Sequence, residues 1–126
     1  MKELDVDDLL KNFIITESPL KVPFTKYKQY SYVTEMYKSG YGQVGKEGYL
    51  ILWEKDVLEK RNDDYKVTQF VDDVFLIGSD GGENAFGVNS NREFVVMPFI
   101  GMNNKSVVIL SATFDGFLRR IANCEF

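Results

Sequence analysis

Residues 74–88, VFLIGSDGGENAFGV, constrain this chain more than any other stretch. They read as an apolar strand, a Ser-Asp-Gly-Gly turn and a second short strand. Asp-Gly between two β-rich runs is a strong hairpin signal. The tight turns that match strand twist need φ > 0, which glycine reaches without a steric cost. One of Gly81 and Gly82 is therefore expected at positive φ between antiparallel strands, and turn chemistry accounts for Asp80-Gly81-Gly82.

The rest of the chain builds outward from that hairpin. Residues 5–15 place Val6, Leu9, Leu10, Phe13 and Ile14 at helical spacing, with Asp5 as cap and Asp7 and Asp8 in the first turn. Leu4 and Leu9 suit a hydrophobic staple. Residues 16–23 form a connector, broken by Pro19 and Pro23. Residues 24–38 predict a second helix, with Tyr27, Tyr30, Val33, Met36 and Tyr37 on one stripe and Gly40 at its αL end. Residues 49–53, YLILW, predict a strand apolar on both faces, hence covered on both. Residues 54–60 suit a short helix. Residues 74–78, 85–88, 94–98 and 107–110 continue the sheet, with Pro98 at a strand end or edge. Thr113 caps a last helix whose stripe is Phe114, Phe117, Leu118 and Ile121, with Arg119 and Arg120 complementing its negative end.

Hairpin-length connections favour antiparallel pairing. The expected fold is α+β: a mainly antiparallel sheet of about five to six strands, covered by N-terminal helices and a C-terminal helix. Its 126 residues suit a single domain, 1–126, and 44 % hydrophobic content is enough for a packed core. No apolar run is long enough to span a membrane, and the acidic start lacks a signal-peptide core. The expected location is the cytoplasm, in keeping with a lone Cys124 and no intrachain disulfide.

The composition also narrows the chemistry. There is no histidine, which removes the commonest general base and metal ligand. With one cysteine, structural zinc is not expected. The glycines of residues 40–45, GYGQVG, match G-x-G-x-x-G in letters, but the expected order is helix before and strand after, the reverse of a dinucleotide site. They read as a flexible helix-to-strand loop. Asp80, Glu83, Asn84 and Asn89 are oxygen ligands close together but lack the EF-hand spacing. No cofactor and no metal are expected.

The net charge of −4 argues against nucleic-acid binding. Residues 20–46 carry five lysines against Glu35, while residues 54–73 carry seven acids against four bases. The ordinary reading is two solvated faces. The sharper reading is an acidic face for a basic protein partner, drawing on Asp63, Asp64, Asp72, Asp73, Asp80 and Glu83. The seven tyrosines, four of them within residues 27–37, suit either an interface or a half-buried helix face. Trp53 reads as core or cleft wall.

Taken in order, YLILW, the GSDGG turn followed by Ala85-Phe86-Gly87, the MPFIG segment at 97–101, and Thr113-Phe114 followed by Phe117-Leu118 resemble the SUKH superfamily. That group includes bacterial toxin-immunity proteins and yeast cell-wall regulators of the Smi/Knr type. The resemblance covers residues 49–121. Its motif positions here are Trp53, Gly78, Asp80, Gly81, Gly82, Phe86, Phe114 and Phe117. The chain departs from the family pattern further upstream. There the family's Leu-Pro, acidic-Tyr pair and Asn-Gly-Gly are replaced by Val22-Pro23, Lys26-Tyr27 and spaced glycines.

The resemblance implies an α+β fold and a non-enzymatic binding protein. Its partner would be a cognate protein toxin, a nuclease among the candidates, neutralised by occlusion. The alternative it implies is a regulatory scaffold of the cell-wall-regulator type.

Overall fold

The computed structural model describes residues 5–16 and 26–126. Seven strands form one antiparallel sheet in sequence order: β1 (Phe13–Ile15), β2 (Gly40–Val44), β3 (Gly48–Leu52), β4 (Phe75–Ser79), β5 (Asn84–Val88), β6 (Phe94–Pro98) and β7 (Val108–Ser111). Five helices accompany them: α1 (Val6–Leu9), α2 (Tyr30–Met36), α3 (Leu58–Tyr65), α4 (Val67–Phe70) and α5 (Phe114–Ala122). The α+β class expected from the sequence is the one observed, with a slightly larger sheet.

Two strands, β1 and β2, lie where the sequence placed none, and the first comes from the segment read as one helix over 5–15. Asp5 does cap α1, accepting from the Asp8 amide at 2.9 Å. The helix then stops at Leu9, and Phe13–Ile15 pairs with β2 instead, Ile14 opposite Tyr41. Two glycines of β2 allow this close approach. A Cβ on Gly40 would overlap the Ile14 carbonyl, and one on Gly42 would sit 2.6 Å from the Asn12 carbonyl oxygen. Pairing overrides the local helical spacing, because propensity is a weak prior against a sheet edge that needs hydrogen bonds.

The same glycines correct a second expectation. Residues 40–44 are strand β2, not a flexible loop, and Gly40 opens that strand rather than ending a helix. The second helix spans only Tyr30–Met36, and Tyr37 follows it in extended conformation. Pro19, Pro23, Phe24 and the Leu4 staple lie outside the described residues.

The 79–84 turn forms as the sequence indicates. Gly81 has φ +84°. The Asp80 carboxylate accepts from the Gly82 amide at 2.9 Å, the Asn84 amide at 3.2 Å and the Asn84 side chain at 2.8 Å. Pro98 ends β6 opposite Asn84.

Alternation along the strands sorts side chains onto two faces. On the inner face Phe86 and Phe94 meet α5. Phe117 stacks on Phe94 at 4.6 Å between centroids and meets Phe86 edge-on at 5.3 Å. Thr113 caps α5, accepting from the Gly116 amide at 3.1 Å, and Phe117, Leu118 and Ile121 are buried. The outer face differs from one half of the sheet to the other. Over β4–β6 it is closed: Leu76, Ala85, Val95 and Met97 are buried and α3 packs against β4. Over β1–β3 the described residues leave it open.

Candidate functional site

The open half of the outer face is built by strand register. Ile14 on β1, Tyr41 on β2 and Ile51 on β3 stand directly opposite one another across three strands. Three neighbouring strands span about 10 Å. Gln43 and Tyr49 form the next cross-strand pair on the same face. Ile14 is 53 % exposed, and Tyr41 and Tyr49 are each 45 % exposed. The sequence suggested cover on both faces of β3. Leu50 and Leu52 are indeed buried, but Tyr49 is not, because α5 lies on the inner face and α3 packs chiefly against β4.

A groove of about 250 Å³ bounds this face, with Tyr41, Ile51, Trp53, Glu54 and Arg61 in its wall. Trp53, 7 % exposed, is core and groove wall at once. Arg61 lies 5.2 Å over its ring, and Tyr65 stacks on it at 6.2 Å. On the other side the 79–84 turn leans over the face: a Cβ on Gly81 would lie 3.5 Å from the Tyr49 ring and 3.8 Å from the Ile51 Cδ1.

The six acids singled out from the sequence do not form one surface. Asp72 and Asp73 precede β4, whereas Asp80 and Glu83 follow it, so a strand of about 17 Å separates the two pairs. Asp63 and Asp64 lie on α3. Lys26 pairs with Asp63 at 2.8 Å and Lys60 with Asp64 at 2.8 Å. The Tyr27 hydroxyl also donates to Asp63, at 2.7 Å. The Lys26 ammonium first, and this hydroxyl second, hold the Asp63 carboxyl below its ordinary range, and Asp63 in turn raises Lys26. Burial pushes the Tyr27 phenol up.

The other acids meet neutral donors. Asp72 exchanges hydrogen bonds with the Asn104 side chain, at 2.9 and 2.8 Å, tying the α4–β4 link to the loop after β6. Asp73 accepts from the Ser90 amide at 3.0 Å and its hydroxyl at 2.7 Å. Asp80 holds its own turn. Among the described residues Asp72, Asp73, Asp80 and Glu83 make no ion pair, and the first three are held by neutral donors instead.

The motif positions are architectural. Gly78 is buried where a Cβ would overlap the Ile51 carbonyl, Phe86 and Phe117 are fully buried, and Phe114 is half-buried beside Phe94 and Phe117. Sequence reading missed the pairing of Tyr41 with Ile14 and Ile51. The signal was present as Tyr41-Gly42-Gln43-Val44, an alternation obscured by its resemblance to a glycine-rich loop. Among the described residues no group of three or more His, Cys, Asp or Glu side chains could hold a metal ion, and no helix is long and apolar enough to cross a membrane. No model of a known protein family matches the chain, and no curated protein matches it either.

Proposed function

We propose that this chain is a non-enzymatic immunity protein of the SUKH type, which binds a cognate protein toxin and neutralises it by occlusion. The observation that carries the reading is the set of exposed or partly exposed acids locked by neutral donors. Asp72, Asp73 and Asp80 each accept hydrogen bonds from neutral groups and pair with no cation among the described residues. Acids held in this way lose little side-chain entropy on meeting a basic protein, and their charge steers that protein during encounter. A nuclease suits it best among toxins, because a cleft that holds phosphates is basic. The burial of Trp53, Gly78, Phe86 and Phe117 agrees with a framework whose function lies on its surface. In this reading the protein works in the cytoplasm, where the exposed Cys124 stays reduced.

The test is co-expression with the toxin domain encoded beside the gene. Growth should be rescued, and a stable complex should co-elute on size exclusion. A toxin that kills equally well with and without this chain overturns the reading.

A further inference from the structure

Two acidic pairs at opposite ends of β4 leave open which end a partner meets. The open face of β1–β3 resolves the choice, because Gly81 of the Asp80–Glu83 turn approaches Tyr49 and Ile51, whereas Asp72 and Asp73 are tied to Asn104 and Ser90. We infer that this face is the docking surface, that Tyr41 and Tyr49 are its anchors, and that its occupant is a basic protein surface with an apolar projection seated in the Tyr41–Trp53 groove. The inference rests on the immunity reading and names the site that reading leaves unspecified.

Large apolar side chains on a solvated sheet face are the first ground. Tyr41 and Tyr49 combine broad apolar area with a polar tip and few rotatable bonds, the residue type that dominates interface energetics. Ile14 and Ile51 flank Tyr41 in one cross-strand row and make the patch contiguous.

Charge selects the occupant. Glu47 lies in the β2–β3 turn, Glu54 in the groove wall, and Asp80 and Glu83 in the turn whose Gly81 meets Tyr49; among the described residues the bases beside them are Lys46 in the β2–β3 turn, Arg61 in the groove wall and Lys11 just before β1. Acids outnumber bases there, and the chain as a whole carries −4. A second copy would bring the same acids against this border, and an anionic lipid surface would be repelled by it. A basic protein satisfies both the apolar centre and the acidic rim.

The experiment uses the full chain and the purified, catalytically inactivated toxin domain encoded beside its gene, with binding followed by biolayer interferometry. Tyr41→Thr/Tyr49→Thr keeps strand-forming residues at both positions and should weaken binding by roughly 30-fold or more, the scale of paired hot-spot truncation. Glu83→Lys should slow association several-fold with little change in dissociation. Glu35→Lys, an exposed charge on α2, should bind as wild type. Melting temperatures are measured alongside; if the double variant melts early, Ile14→Thr is read in its place.

Wild-type binding with an unaffected face variant overturns this inference and leaves the immunity reading standing. Equal losses from Glu35→Lys and Glu83→Lys overturn it as well. A wild-type chain that does not bind the toxin domain overturns both.

Discussion

Asn62 shows how one side chain replaces a stretch of sheet. β3 pairs with β4 only at Ile51–Ser79 and Leu52–Gly78, then diverges. The Leu76 peptide is left without a strand partner on that side, and the fully buried Asn62 supplies one. Its Oδ1 accepts from the Leu76 amide at 2.8 Å, and its Nδ2 donates to the Leu76 carbonyl at 3.0 Å and the Leu58 carbonyl at 2.9 Å. Asn62→Ala strands a buried donor and acceptor together, so a loss of about 3 kcal/mol is expected in urea melts. A loss below about 1 kcal/mol would show that the Leu76 peptide finds other partners.

Asp63 makes the pH-dependent prediction at the same scale. Its folded pKa is depressed by Lys26 and Tyr27, so its contribution is fully present above the unfolded value of about 4. It is lost as pH falls through the folded value, because the unfolded chain takes up the proton first. The melting-temperature gap between wild type and Asp63→Asn should narrow from about pH 5 to about pH 3. A constant gap across that range contradicts the Lys26–Asp63–Tyr27 linkage.

At the scale of elements, β1 depends on β2 having no side chains where the two meet. Gly40→Val would drive a side chain into the Ile14 carbonyl and the Phe13 ring. β1 should peel away while β4–β6 and α5, whose packing does not involve Gly40, stay folded. Hydrogen exchange should then show lost protection at Thr16, whose amide donates to the Ser39 carbonyl at 2.9 Å. Protection at Val95 and Phe117 should be unchanged. Loss of protection throughout would mean that β1 belongs to the same cooperative unit as the central hairpins. Residues 5–15 illustrate why such a segment is hard to read locally. Val6, Leu9 and Leu10 are apolar at helical spacing, yet Phe13–Ile15 answers to a strand lying 27 residues further on.

For the whole molecule, the acidic balance governs encounter rather than fold. Steering between opposite charges is screened over about 10 Å at 0.1 M salt. Association with the toxin domain should therefore slow by about tenfold or more between roughly 0.05 and 0.5 M salt, while dissociation changes little. Stopped-flow mixing at several ionic strengths measures this, and a salt-independent association rate would contradict electrostatic steering. The seven-stranded meander makes such a surface available. Every pairing joins strands consecutive in sequence, so no crossover helix is required over β1–β3, and α3, which follows β3, packs against β4.

The sequence alone determined the β4–β6 hairpins, the last helix and much of the core. Asp80-Gly81-Gly82 admits few backbone paths, Thr113 caps α5 through its own side chain, and the Phe117, Leu118 and Ile121 stripe has one face to bury. Each of these is a local interaction, complete within a few residues. Tertiary structure decided what depends on partners far along the chain. Only strand pairing turned 13–15 and the glycine-rich 40–44 into β1 and β2, and only helix placement left Tyr41 and Tyr49 exposed while burying Leu50 and Leu52. The β4 strand separated the acids, because residues adjacent to its two ends stay apart by the strand's length. Alternation in the sequence says which side chains share a face; what lies over that face is set by where the helices come to rest.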